Sequence, residues 1–232
     1  MSIRQALEHS RLFQGTPEVA LNMAAEAAQE RRFAAGQTIF REDDPGEAVY
    51  LITAGRVKIT RANLEGRERI FTILTPPEVL GEMALVSNQP RTATAYCLDA
   101  VSTVALYSED LRRILDRFPA VLWRLAGVMA SRLAEMNREV EMLSFASTQS
   151  NVAYALHSLY LKGAFVPGPE GRPSIAFTHQ DLANRTGNSR ETITRVLREF
   201  ETEKLIRTKP GLITLLEPDA LEEVIYGLRE RD

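Results

Sequence analysis

Glu82 and Arg91 stand nine positions apart in GEMALVSNQPRTATA, residues 81–95. Arginine offers a forked cation suited to phosphate, and the run GEMAL can make one short helical turn whose free backbone N–H groups favour the same anion. A carboxylate repels phosphate but accepts hydrogen bonds from a ribose hydroxyl. The pair therefore reads as a nucleotide held at two points, sugar by Glu82 and phosphate by Arg91, with the Thr92 hydroxyl adjacent. Spacing alone leaves a second reading open, an internal Glu82–Arg91 ion pair that stabilises the loop.

A second cluster with chemistry lies in THQDLANRTGNSRETITRVLREFE. Thr178 and Asp181 have the spacing of a capping box, Gly187 permits the positive φ of a tight turn, and Ser189 is placed to cap a second helix. That helix puts Ile193, Val196, Leu197 and Phe200 on an inner face, and small Ala183 lets the first helix cross it closely. The expectation is a helix-turn-helix. Arg190, Arg195 and Arg198 project outward with only Glu191 among them. Arginine pairs with guanine O6 and N7 and a carboxylate accepts from cytosine N4, so Arg190, Glu191 and Arg195 suit G and C edges in a major groove. The hairpin in LIRTKPGLITLL, turning at Pro210 and Gly211, is expected to act as a wing that brings Lys209 or Arg207 near phosphate.

The elements that position these clusters differ in period. Residues 36–107 carry turn signals at DDPGE, TAG, NLEG, TPP and SNQP, with the β-rich runs AVYLIT, RVKIT, ERIFTIL and VSTVALY between them, which predicts an antiparallel sandwich or barrel. From Ser108 the period becomes helical. Leu111, Ile114, Leu115 and Phe118 suit packing on the sheet, whereas Ala126, Met129, Leu133, Met136, Val140 and Leu143 form a heptad seam that predicts a parallel helix pair between two copies. After a polar stretch near Phe145 come another helix, a Pro/Gly loop at VPGPEGRP, two short helices and the hairpin. The expected divisions are a sensor domain at 1–117, a dimerisation helix and hinge at 118–145, and a DNA-binding domain at 146–232.

Composition narrows the function classes. The chain has 232 residues, 44% of them hydrophobic, and a net charge of −3, so any basic surface is local. Cys97, the single cysteine, supplies no internal disulfide, CxxC pair or cysteine-rich zinc site. The N-terminus lacks the apolar core of a signal peptide and no run is long enough to cross a bilayer, so a cytoplasmic protein is expected. No nucleophile, base and metal set assembles in the sequence, which argues against an enzyme.

The loop at 81–95 resembles the phosphate-binding cassette of cyclic-nucleotide-binding domains, and NSRETITRVL resembles the recognition helix of the Crp/Fnr family of bacterial transcription factors, closest to its cyclic-AMP-receptor type. EDDPGEAVYLITAGRVKI is similar to that family's β-roll, so the resemblance covers almost the whole chain. It implies an α+β fold: an N-terminal cyclic-nucleotide-binding β-roll (a double-stranded β-helix), a long dimerisation helix and a C-terminal winged helix-turn-helix.

The resemblance further implies that Gly81 and Glu82 hold ribose, that Arg91 and Thr92 hold cyclic phosphate, and that Ile59, Thr72, Leu74 and Met83 line the pocket. Arg132 matches an arginine that approaches the cassette glutamate. Met136 and Asn137 replace the threonine and serine that reach adenine in the cyclic-AMP-receptor type, leaving Asn137 as the base contact. Threonine after the cassette arginine also occurs in cyclic-GMP sites. The expected ligand is cyclic AMP, with cyclic GMP the second candidate.

On the DNA side the resemblance implies contacts from Thr178, Gln180, Ser189, Arg190, Glu191, Thr192, Arg195 and Lys209, and a TGTGA-type palindrome. RNA polymerase is an expected partner, with VPGPEGRP at a surface that touches it in some members. Iron–sulfur sensing needs a cysteine cluster, while a haem sensor or a cupin enzyme needs histidines in the roll; His9, His157 and His179 all lie outside it. No metal, haem or iron–sulfur cluster is expected. The alternative within the family is a ligand-independent activator controlled by its abundance.

Overall fold

The computed structural model describes residues 2–63, 66 and 68–228. The expected NLEG turn therefore lies partly outside the described residues. Two N-terminal helices, α1 (Ile3–His9) and α2 (Glu18–Ala27), precede the strands β1 (Gln29–Phe33), β2 (Thr38–Phe40), β3 (Ala48–Ala54), β4 (Val57–Ala62), β5 (Glu68–Leu74) and β6 (Val79–Leu80). A short helix α3 (Glu82–Ser87) leads to β7 (Thr94–Cys97) and β8 (Val101–Tyr107), then α4 (Ser108–Arg117) and the long α5 (Pro119–Phe145). The remainder comprises α6 (Thr148–Leu161), β9 (Val166–Pro167), β10 (Pro173–Ile175), α7 (His179–Thr186), α8 (Arg190–Thr202), β11 (Ile206–Lys209), β12 (Leu212–Leu215) and α9 (Ala220–Tyr226).

The chain divides into two compact units, Met1–Arg61 with Ile73–Glu135, and Ala62–Thr72 with Met136–Asp232. The strands β1 to β8 form two four-stranded sheets, ordered β1-β8-β3-β6 and β2-β7-β4-β5. AVYLIT and VSTVALY are almost continuously apolar because β3 and β8 are covered on both faces. Val49, Leu51, Val104 and Leu106 face a core shared with Leu7, Leu21, Leu111 and Ile114 of the helices. Ile52 and Val101 face a second core with Val57, Leu74, Ala95 and Cys97. Alternation of side chains along each strand thus serves two cores at once.

As the periodicity predicts, Leu111 and Ile114 of α4 are fully buried against the sheet, with Leu115 and Phe118 at its margin. The start of α5 buries Val121, Leu125 and Val128 in the same unit. Further along the helix Leu133, Met136 and Val140 are each 60% exposed. Leu143, the last residue of the expected seam, has a side chain outside the described residues.

In the second unit α6 buries Val152, Ala153, Leu156 and Leu159 and packs on α9 and on the helix-turn-helix pair α7 and α8. VPGPEGRP, expected as a loop, instead supplies β9 and the start of β10, which join the wing in a sheet ordered β11-β12-β10-β9. Pro167 of the edge strand β9 pairs with Pro173, the first residue of β10, which among the described residues has no partner on β12; at both positions a missing N–H donor is tolerated.

Burial, then the nearby Asp99 carboxylate, raises the Cys97 thiol to about 11. Its reactive thiolate is therefore scarce at pH 8, on the order of one part in a thousand. A thiol reagent should leave folded protein unlabelled over hours at pH 8 and label it stoichiometrically in urea. Rapid labelling of the folded chain would contradict the packing described for β7.

Candidate ligand site and nucleic-acid interface

Arg91 is placed by its backbone before its side chain does anything. Its N–H donates to Asp44 O and its carbonyl accepts from Asp43 N, both at 2.9 Å, so the turn DDPG grips the end of the cassette. Gly46 in that turn lies so close to Ala84 that an added Cβ would meet the Ala84 Cβ at 2.6 Å. Gly81 enters α3 at φ 85°, a left-handed conformation that glycine adopts without steric cost. These constraints bring Glu82 and Arg91 into the first unit's interior, at 1% and 3% exposure.

The two groups do not pair with each other. Arg91 Nη1 donates to Gly81 O at 2.7 Å and Nη2 to Ala48 O at 2.6 Å. The guanidinium also lies 4.2 Å from the Phe40 ring centroid, a cation–π contact. Burial pushes Arg91 below its ordinary pKa, and the fields of Tyr50, Glu82, Asp44 and Glu47 oppose that shift. Glu82 Oε1 instead accepts from Arg132 Nη1 on α5, while Arg132 Nη2 donates to Val79 O and lies 3.8 Å from Glu78. The internal ion pair left open by the sequence is thus replaced by separate partners for each charge.

Two buried polar atoms of the cassette remain over. Arg91 Nε and Glu82 Oε2 have no hydrogen-bond partner among the described residues. Buried polar groups are nearly always satisfied, so each such atom calls for an explanation. One is a donor that suits a phosphate oxygen and the other an acceptor that suits a hydroxyl.

The remaining sensor residues are dispersed. Met83 is 45% exposed, and exposed Thr92 reaches its sulfur with Oγ1 at 3.9 Å. Ile59 and Leu74 belong to the second core of the first unit. Thr72, in the second unit, accepts from Lys162 Nζ at 3.4 Å, and Asn137 is exposed on α5. Among the described residues no group of three His, Cys, Asp or Glu is placed to hold a metal ion.

In the second unit, α7 begins with a complete capping box. Asp181 N donates to Thr178 Oγ1 at 3.0 Å and Thr178 N to Asp181 Oδ2 at 2.8 Å. The helix stops at Gly187, φ 73°, and Ser189 Oγ caps α8 by accepting from Thr192 N at 3.2 Å. Ile193, Val196, Leu197 and Phe200 are buried, as the spacing predicts. The opposite face of α8 is a shallow groove lined by Arg190, Glu191, Thr194, Arg195, Arg198, Glu199 and Thr202. Glu191 therefore has company: Glu199 also borders the arginines and pairs with Arg195 at 2.8 Å. One helical turn separates residues four apart, so that contact was implicit in the sequence but hidden behind the alternating charges.

The backbone amide and the Ser189 hydroxyl hold Glu191 below the usual carboxylate range. Gln180 and Lys209 are exposed. Arg207 is engaged by Glu170 at 2.9 Å, and Glu201 ties the wing to α8 by accepting from Thr208 N at 2.7 Å. His179 Nδ1 and Thr194 Oγ1 are 2.9 Å apart, joining α7 to α8. The sequence reading also passed over Arg185. It is 5% exposed, bonded to Glu139, which lies 3.8 Å from Arg69. Its position three residues after buried Leu182 put it on the inner face of α7, which was the available signal.

Comparison with known proteins agrees with this geometry. The family model for the cyclic nucleotide-binding domain matches residues 30–118, and that for the Crp-like helix-turn-helix domain matches residues 129–224. The cyclic AMP receptor protein of Thermus thermophilus is 35% identical over 96% of this chain and 100% of its own length. The chain belongs to the Crp/Fnr family.

Other Crp/Fnr proteins resemble it over similar lengths. A CRP-like cAMP-activated global transcriptional regulator from Mycobacterium tuberculosis is 29% identical over 94% of this chain and 97% of its own. The crystal structure of a CRP/FNR-family transcriptional regulator from Thermus thermophilus superposes with a TM-score of 0.74 at 28% identity, covering 85% of this chain and 98% of that one. This Crp/Fnr protein is a DNA-binding transcription regulator with a cyclic nucleotide-binding domain, and its relatives are regulators rather than enzymes. None of its described helices is long and apolar enough to cross a membrane.

Among the described residues, Glu82 has Arg132 as its salt-bridge partner. Arg132→Ala should destabilise the protein by about 2–3 kcal/mol in urea titration, because a buried carboxylate is left without that cation. Adding Glu82→Gln to that variant should recover part of the loss. Equal stability of the single and double variants would contradict this account of the pair.

Proposed function

We propose that this Crp/Fnr regulator is a homodimer whose cassette binds a cyclic nucleotide, cyclic AMP first and cyclic GMP second, and whose α8 reads TGTGA-type palindromes. The observation that carries the ligand reading is the pair of unsatisfied buried atoms, Arg91 Nε and Glu82 Oε2. A cyclic phosphate would take Arg91 and Thr92, and the ribose would take Gly81 and Glu82. Ile59, Thr72, Leu74 and Met83 would line the pocket, Arg132 would orient Glu82, and Asn137 would supply the base contact. The relatives named as cyclic AMP receptor and cAMP-activated proteins support the same ligand class.

Dimerisation would cover the exposed stripe of Leu133, Met136 and Val140 with its symmetry mate. The working divisions are a sensor at 1–117, a dimerisation helix and hinge at 118–145, and a DNA-binding domain at 146–232. Ligand binding would shift the population between arrangements of the two DNA-binding domains by no more than its preference for one of them. We place the protein in the cytoplasm, with RNA polymerase as a further partner. On DNA, Arg190, Glu191 and Arg195 would read bases, while Thr178, Gln180, Ser189, Thr192 and Lys209 would fix the helix on the backbone.

A second reading keeps the DNA binding and removes the ligand, giving an activator governed by its abundance. It is favoured by the internal carbonyl partners of both terminal nitrogens of Arg91.

Mobility shift separates the two readings. A duplex carrying TGTGA and TCACA centred about 10–11 base pairs apart should be bound by the full chain, and more tightly with cyclic AMP present. Arg195→Ala should lose about 1–3 kcal/mol of discrimination at one base pair. Binding that ignores both the nucleotide and the half-site sequence would overturn the proposal; tight, specific binding indifferent to nucleotide would favour the second reading.

A further inference from the structure

We infer that Glu199 is a positioning residue for DNA recognition, a fixed acceptor that aims the guanidinium of Arg195. The inference rests on the reading that Arg195 contacts a base edge. Arg195 is 62% exposed, and its Nη1 donates to Glu199 Oε1 at 2.8 Å, one helical turn further along α8. Such an exposed pair adds little to stability, and a carboxylate beside the DNA phosphates weakens binding. Stability and general affinity therefore give no reason for an acid here.

The other oxygen supplies one. Glu199 Oε2 accepts from Gln149 Nε2, a neutral donor in the first turn of α6. An ordinary surface carboxylate swings with its partner, whereas this one is tied to a second helix that lines no part of the groove. Arginine carries five N–H donors in a rigid fork. One bond to an anchored carboxylate leaves the Nε–Nη2 edge available, the same two-donor edge that can meet guanine O6 and N7.

Two consequences follow from fixing Arg195. The side chain loses rotamers before DNA arrives, so less ordering remains for the complex. It is also kept from reaching a neighbouring phosphate, a contact that strengthens binding to every sequence equally. Glu199 thus raises sequence discrimination while lowering general affinity.

The test compares wild type, Arg195→Ala, Glu199→Gln and Gln149→Ala as full chains. Fluorescence anisotropy would use the TGTGA palindrome, the same duplex with each half-site base pair changed in turn, and an unrelated duplex across a salt series. Glu199→Gln should lose about threefold to tenfold of discrimination at the base pair relaxed by Arg195→Ala and leave the other positions unchanged. Its affinity for unrelated DNA should rise by about threefold, with a steeper salt dependence. Gln149→Ala, which keeps the charge and removes the anchor, should lose discrimination at the same position without that rise.

A uniform gain in affinity with an unchanged base profile in Glu199→Gln would overturn the inference, since Glu199 would then be a surface charge only. So would full discrimination in Gln149→Ala. If Arg195→Ala itself relaxed no base pair, the base-reading role of Arg195 would fail first, and the inference with it.

Discussion

The sensor half of this protein is organised around the burial of one permanent charge. A guanidinium at 3% exposure must find acceptors, because desolvating an ion without partners costs several kcal/mol. Arg91 finds two backbone carbonyls and an aromatic face, and those partners fix the cassette: Gly81 must turn left-handed, Ala48 must present its oxygen, and Phe40 must offer its ring. Glu82 poses the matching problem with opposite sign and draws Arg132 from α5. Neither solution is complete, and the two atoms left unsatisfied are a donor and an acceptor on neighbouring ends of one loop.

The DNA-facing half obeys the opposite rule. Its charges stand in solvent on α8, where each is individually weak, and precision comes from what holds them. Ser189 caps the helix, four apolar residues seat it, His179 ties it to α7 and Glu201 ties it to the wing. Glu199 and Gln149 extend that rigidity to Arg195. The groove is thus preorganised by contacts that lie mostly outside it.

Much of this was readable from residue types. Gly81, Glu82 and Arg91 identified a candidate cassette, and Thr178, Asp181, Gly187 and Ser189 gave the helix-turn-helix, because caps and left-handed turns are local physics. Pairings over long separations were less readable. The sequence could not decide between ligand contacts and a Glu82–Arg91 bridge, since that depends on where Ala48 O and Arg132 fall in the fold. VPGPEGRP looked like a loop because its prolines and glycines mask β9 and the start of β10, short strands that pair with each other and, through β10, with the distant β12. Glu199 was overlooked because alternating charge on a helix usually means a solvated face. Arg185 was overlooked because arginine is rarely placed on an inner face.

The central claim is that Arg91 and Glu82 are buried for a ligand rather than for the loop alone. Titration calorimetry of the full chain with cyclic AMP, beside Arg91→Ala and with cyclic GMP as competitor, tests it most directly. The account predicts saturable binding in the region of about micromolar Kd, abolished by the substitution. Absence of binding to either nucleotide at millimolar concentration, or equal binding by Arg91→Ala, would contradict it.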